Sequence, residues 1–132
     1  MPYDFSALEE IEYEASIDLY RAAPAALQGA LAIAVRDIGA ATCLTSRGIE
    51  PATIFRRAIG LGLGRETTEA ALDDVIAYMD GLGQRYAVPV APQSQPPALA
   101  SWLEQRGFTK GYAWMKFSRL CNAVPKPDTD LE

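Results

Sequence analysis

Histidine, the commonest acid–base side chain of enzymes, is absent from the 132 residues of this chain. Its absence excludes Ser-His-Asp and Cys-His nucleophile systems and removes the commonest zinc ligand. Any proton transfer must therefore use a carboxylate, a tyrosine, a thiol, a lysine, the backbone or water. A metal site built only from Asp and Glu stays open, but no spacing of these residues suggests one, and we expect no metal cofactor.

A cluster of carboxylates near the N-terminus is the first group that could use this chemistry. Its members are Glu9, Glu10, Glu12, Glu14 and Asp18. The predicted helix that they share also carries regularly spaced apolar residues, which are Leu8, Ile11, Ala15 and Leu19. This spacing predicts that the apolar set forms the buried face and the acidic set a solvated one. The alternative for the acidic set is a site for a cationic amine substrate.

A glycine-rich junction is the second feature. A strand-like run beginning near Thr53 passes into Gly60-Leu61-Gly62-Leu63-Gly64, and a helix is predicted from about Thr67 to Leu82. We expect Thr67 or Thr68 to be the N-cap of this helix. The spaced glycines have two interpretations: they end the strand and form a turn, or they let the backbone touch a cofactor.

The elements around this junction predict a mixed chain of helices and strands. The pattern indicates a short helix starting at Pro24 and a strand from Arg85 to Ala91. The stretch from residue 31 to 46 is ambiguous between helix and strand in its first part, while 41–45 favours a strand. A helix from Pro97 to Arg106 and an aromatic strand from Tyr112 to Leu120 follow. Pro89 cannot donate a hydrogen bond, so we expect the ladder to be interrupted there. Gly107 should end the last helix in a left-handed conformation, with Phe108 packing back on Leu103.

The composition limits the classes of function. The chain is 49% hydrophobic, which suits one domain, expected at residues 1–121, with a polar tail at 122–132 whose last two residues resemble a cloning remnant. A net charge of −5 without a basic run disfavours nucleic acid. No apolar run is long enough to span a membrane. The thiols of Cys43 and Cys121 indicate a reduced, cytoplasmic protein, although a disulfide between them stays open.

Three segments carry a resemblance to a known family: 55–62, 67–73 and 98–108. Their order and spacing resemble the acyl-CoA half of GNAT N-acetyltransferases, and most of all the N-terminal half of tandem-GNAT proteins. The likeness covers most of residues 13–120. It implies an α+β fold of three layers, with a mixed, mostly antiparallel central sheet and helices on both faces.

The resemblance implies acetyl-CoA-dependent transfer of an acetyl group to an amine, either a small molecule or a peptide. The chain would act as part of a larger or paired acetyltransferase, with a second GNAT half or a homodimer partner. By the resemblance, the backbone of Gly60, Leu61, Gly62, Leu63 and Gly64 holds pantetheine, and Arg65, Thr67 and Thr68 face the pyrophosphate. Glu14 or Asp18 would orient the amine.

The position of the family's catalytic tyrosine falls on Leu103, which cannot donate a proton. Tyr112 and Tyr78 are the substitutes. A second hypothesis follows from this loss and from the acidic Glu66 and Glu69 near the loop. It is a non-catalytic, pseudo-enzyme GNAT domain that packs against a partner, with Tyr112 and Trp114 of the last predicted strand at the interface. A third is an unrelated small acyl-binding or sensor module.

Overall fold

The computed structural model describes residues 5–49, 52–113 and 115–116. The elements in chain order are α1 (Phe5–Arg21), α2 (Ala25–Ala30), β1 (Ile33–Ile38), β2 (Ala41–Ser46), a 3₁₀ turn (Thr53–Phe55), β3 (Arg57–Ile59), α3 (Glu69–Gly81) and α4 (Leu99–Gln105). The prediction of a mixed α and β chain is confirmed. The sheet in the described residues has three antiparallel strands in the order β1-β2-β3.

The ambiguous segment after residue 31 is a β-hairpin. Strand β1 pairs with β2 from Ile33 opposite Ser46 to Ile38 opposite Ala41, and Gly39, with φ of 57°, allows the tight connection between them. Strand β2 also pairs with β3, so β2 is central, and all six of its residues are buried.

Two hydrophobic clusters lie on opposite faces of the sheet, because neighbouring residues of a strand point to opposite sides. On one face, Cys43 and Ala58 pack with residues of α3 and α4 such as Leu72 and Leu103. On the other face, Leu44 and Ile59 pack with Ile17 and Tyr20 of α1. The sheet is thereby covered by α1 on one side and by α3 and α4 on the other.

The start of α3 and the end of α4 follow the sequence predictions. Thr68 is the N-cap of α3, and its Oγ1 accepts a hydrogen bond from the Ala71 N–H at 3.1 Å. Helix α4 ends at Gln105, and Gly107, the residue after the C-cap Arg106, has a φ of 84°. The Phe108 N–H donates to the Leu103 carbonyl at 3.1 Å and the Gly107 N–H to the Glu104 carbonyl at 3.0 Å, which is a Schellman motif.

The predicted buried face of α1 is wrong. Ile11 and Leu19 are 62% and 67% exposed, whereas Ile17 and Tyr20 are buried. The helix meets the sheet through its tyrosines, because their rings bury a large apolar area while their hydroxyls keep hydrogen-bond partners. The Tyr20 hydroxyl donates to the Phe55 carbonyl at 2.7 Å, and Tyr13 packs beside it in the same cluster.

Three predicted strands also need correction. Strand β3 is short because residues 53–55 form a 3₁₀ turn and Gly60, with φ of 89°, ends the extended run. The segment 85–91 makes a single parallel bridge, between Arg57 and Ala87. In the last predicted strand, residues 112, 113, 115 and 116 are not in a strand. Trp114 and residues 117–120 of that prediction, together with the 122–132 tail, lie outside the described residues.

Candidate functional site

The candidate site lies where β3 and the segment 85–91 separate. The Ala87 N–H donates to the Arg56 carbonyl at 3.0 Å, and the Ala58 N–H donates to the Ala87 carbonyl at 3.0 Å. In this parallel register the next bond would run from residue 89 to the Ala58 carbonyl. Residue 89 is a proline without an N–H, so the ladder stops and the two backbones are free to diverge. The interruption expected at Pro89 is thus present.

A crevice of about 40 Å³ opens beside this separation. It is lined by Glu9, Glu12, Tyr13, Ser16, Arg57, Ile59, Gly60, Leu63, Pro89 and Ala91. One wall therefore comes from α1, and the other comes from the end of β3, the glycine loop and the diverging 89–91 segment. A volume of this size has room for a few water molecules.

The α1 wall is held by a chain of hydroxyl groups. The Thr42 hydroxyl donates to the Asp37 carboxylate at 2.7 Å, so the Tyr13 hydroxyl must be the donor in its 2.6 Å bond to Thr42. The Tyr13 ring lies so close to Gly60 that a Cβ there would stand 2.7 Å from Cε2 of the ring. Gly60 is required at this position both by its φ and by the tyrosine.

Charged groups join the residues of the α1 wall to Lys116 and to Arg57 of β3. The Lys116 ammonium lies 2.5 Å from Glu9 and 2.8 Å from Glu12, and the Arg57 guanidinium lies 3.9 Å from Glu12. Burial acts to lower the pKa of Lys116, but its hydrogen bonds and charge interactions with Glu12 and Glu9 outweigh burial and raise the pKa. Lys116 therefore stays protonated and bridges both carboxylates.

The glycine loop is fastened to the segment before α4. The Gln95 N–H donates to the Gly62 carbonyl at 2.9 Å, and the Thr67 N–H donates to the Gln95 carbonyl at 3.0 Å. Gly62 and Gly64 both have positive φ, of 72° and 73°. These glycines therefore end a strand and form a turn, which is the first of the two interpretations given above.

The structure separates the residues that the resemblance assigned to a cofactor. Leu61 is in the core, 1% exposed, while Gly60 and Leu63 line the crevice. Gly64 and Arg65 lie on the surface, and Thr68 is engaged in capping α3. Thr67 is buried, and among the residues that the structure describes its Oγ1 has no hydrogen-bond partner.

The residues considered for catalysis are not gathered at the crevice. Glu14 and Asp18 are exposed on α1 and do not line it. Tyr78 packs against the cluster on the other face of the sheet, and Tyr112 is 64% exposed. Leu103 is buried in the core. None of these five residues lines the crevice.

Two acidic residues near the loop, Glu66 and Glu69, would oppose the binding of a phosphate. Glu69 is 2.9 Å from the Arg106 guanidinium, which also binds Asp73 at 2.6 Å. The Arg106 hydrogen bond lowers the pKa of Asp73, and the hydrogen bonds of Asp73 and Glu69 raise the pKa of Arg106. The charge of Glu69 is thus partly compensated by α4, whereas Glu66 is exposed.

Sequence reasoning did not group the crevice residues Glu9, Glu12 and Tyr13 with Lys116, which contacts the two carboxylates. The sequence does contain a pattern that predicts the observed packing face of α1, because Tyr13, Ile17 and Tyr20 have the i, i+4, i+7 spacing of a buried face. The contact of Lys116 with α1 spans over a hundred residues of sequence, and no local pattern could have predicted it.

No family model, no curated protein and no solved structure matches this chain. Within the described ranges, no group of three or more His, Cys, Asp or Glu residues could hold a metal ion. Each helix of the described part is too short or too polar to cross a lipid bilayer.

Proposed function

We propose that this chain is a GNAT-like acyltransferase domain that binds acetyl-CoA at the divergence of β3 and Pro89 and serves acetyl transfer to an amine within a larger or paired enzyme. The observation that carries the proposal is the parallel ladder that Pro89 stops next to a glycine loop and the start of a helix. The Ala58 carbonyl points toward this gap, since its own N–H is used by Ala87. A pantetheine amide could donate to that carbonyl.

The chemistry of the nearby groups suits the phosphate end of the same cofactor. Arg65 is exposed just before α3, and Thr67 offers a buried hydroxyl that has no partner in the described part of the chain. The N-terminal end of a helix adds a favourable electrostatic potential for an anion. When bound, acetyl-CoA would supply an acetyl group activated as a thioester.

The crevice must widen before a cofactor can enter it. The crevice holds about 40 Å³. Tyr13, which lines it, lies on Gly60, and Lys116 bridges Glu9 and Glu12, which line it as well. We expect entry of the pantetheine arm to be opposed by the Lys116 bridge, because this bridge holds two carboxylates of the crevice lining in place. Glu9 and Glu12, rather than Glu14 or Asp18, would then be the carboxylates nearest to an acceptor amine.

The small volume of the crevice favours a second candidate function. A non-catalytic GNAT-like domain needs no open crevice and no proton donor, and Leu103 is buried at the place of the family tyrosine. Such a domain would have a structural or partner-binding role. The two candidates differ in whether acetyl-CoA binds this chain at all.

Isothermal titration of acetyl-CoA into the full chain separates them. The enzyme proposal predicts binding that is weakened at least tenfold in Arg65→Glu and changed less than twofold in Arg47→Glu, which alters charge equally at another exposed site. It also predicts tighter binding by Lys116→Met, because this variant removes the bridge that holds Glu9 and Glu12 of the crevice lining in place. No heat up to millimolar acetyl-CoA in both wild type and Lys116→Met, with both folded by circular dichroism, would favour the non-catalytic domain.

A further inference from the structure

Helix α1 has two apolar faces, and only one of them is covered in the described structure. The inner face packs on the sheet through Ile17 and Tyr20. The outer face carries Ile11, Ala15 and Leu19, all exposed, at the i, i+4, i+8 spacing of a continuous stripe. A helix that is apolar on opposite sides normally lies between two packed layers. The outer stripe therefore has the pattern of a surface that packs against something.

The stripe runs into an apolar cleft at the C-terminal end of α1. The cleft holds about 380 Å³ and is lined by Leu19, Tyr20, Ala22, Ala23, Pro24, Leu27, Ile33, Ser46, Ile49 and Phe55. At its rim Leu27 is 49% exposed and Phe55 is 37% exposed. We call the stripe and the cleft together the α1 groove.

The walls of the α1 groove offer apolar contact rather than polar anchors. The Tyr20 hydroxyl already donates to the Phe55 carbonyl at 2.7 Å, and the Ser46 hydroxyl donates to the Leu31 carbonyl at 3.2 Å. A small ligand in the cleft would leave Ile11 and Ala15 uncovered. From Ile11 to Leu19 the stripe is about 12 Å long, at about 1.5 Å per residue, which matches two turns of a second helix.

Charge beside the stripe selects the kind of helix. Glu10, Glu14 and Asp18 are exposed along one edge of α1, and the only cationic residue in this helix is Arg21. A second copy of the chain would bring the same acidic edge and the same net charge of −5, which opposes self-association. A partner with Lys or Arg beside its apolar residues would complement this edge.

We propose that the α1 groove docks a basic amphipathic helix of a partner protein. Its apolar side chains, spaced at i, i+3 or i+4 and i+7, would cover Ile11 and Leu19 and fill the cleft, while its basic residues face Glu14 and Asp18. This inference is independent of acetyl-CoA, because the α1 groove and the crevice share no residue.

Selection of helical peptides on the full chain tests the proposal. A displayed library of 16-residue helix-forming peptides, random at alternate faces, is selected on the immobilised protein, and one enriched peptide is titrated by fluorescence anisotropy. We expect enriched sequences to combine apolar helical spacing with Lys or Arg. Affinity should fall at least tenfold in Leu19→Ser and, through charge, at least threefold in Asp18→Lys.

Met115→Ser is the matched control, because Met115 is 80% exposed and lies outside the α1 groove; its effect should stay below twofold. The proposal is overturned by a lack of enrichment, by enriched peptides without a basic bias, or by binding that Leu19→Ser leaves intact. It is also overturned if sedimentation shows a dimer that Leu19→Ser converts to a monomer, since the occupant is then a second copy.

Discussion

Replacing Gly62 by alanine should destabilise the fold much more than the same change at Gly64. Both glycines have nearly the same positive φ, 72° and 73°. A Cβ at Gly62 would stand 2.5 Å from the Gln95 carbonyl oxygen and 2.7 Å from the Gln95 nitrogen, whereas a Cβ at Gly64 would meet nothing within 4 Å. The pair therefore separates the cost of the backbone conformation from the cost of the close contact.

The magnitude follows from these two contributions. A left-handed conformation costs a non-glycine residue about 1–2 kcal/mol, and this cost applies at both positions. Forcing apart two backbone segments costs about 1–3 kcal/mol more, and it applies only at Gly62, where the 2.9 Å hydrogen bond from Gln95 would also be strained. Stiffening of the unfolded chain is common to both variants and cancels in the comparison. The free energy of unfolding should thus fall by roughly 2–5 kcal/mol in Gly62→Ala and by roughly 1–2 kcal/mol in Gly64→Ala.

Urea denaturation followed by far-UV circular dichroism measures both variants, provided that the transitions are two-state. Equal destabilisation of the two variants, to within about 0.5 kcal/mol, would refute the close packing of the glycine loop on Gln95. It would also remove the reason for regarding this loop as a rigid part of the crevice wall.

Three further predictions concern individual side chains. Thr68→Ala should lower the free energy of unfolding by about 1 kcal/mol through loss of the α3 cap, and Thr68→Ser should restore it in the same denaturation assay. Burial, with the charge of Asp37, raises the pKa of the Cys43 thiol to about 11, so in a Cys121→Ser variant Cys43 should resist DTNB at pH 8 until urea unfolds the chain; rapid native labelling would contradict its burial. The lowered pKa of Asp73 means that its ion pair with Arg106 stabilises the fold above the ordinary carboxyl value of 3.8 and is lost as pH falls. The difference in Tm between wild type and Arg106→Met should therefore shrink in acid, and a constant difference from pH 7 to pH 3 would contradict this assignment.

The elements that local chemistry specifies could be predicted from the sequence. Thr68 and Gly107 fix the start of α3 and the end of α4 through hydrogen bonds within a few residues. Pro89 interrupts a ladder because a proline has no backbone N–H to donate. The packing face of α1 depended instead on contacts with strands that are far away in sequence. The tyrosines form the packing face because Thr42 and the Phe55 carbonyl accept hydrogen bonds from their hydroxyls. Neither partner can be predicted from the sequence of the helix alone.

The candidate site shows the same division. The glycines, Arg65 and Thr67 could be placed at a strand-to-helix junction from the sequence. The α1 wall, with Tyr13 against Gly60 and Glu12 bound to Lys116, arises from tertiary contacts and could not be predicted in this way. This wall bounds the crevice on the side of α1.

The most direct test of the acetyl-CoA proposal is an amide-resolved titration. In ¹H–¹⁵N correlation spectra of the full chain, we predict that acetyl-CoA shifts the amides of Gly60, Leu63, Gly64 and Thr67 most, and that Lys116→Met makes these shifts saturate at lower ligand concentration. Shifts confined to other parts of the chain, or none up to millimolar acetyl-CoA, would contradict a cofactor site at the divergence of β3 and Pro89.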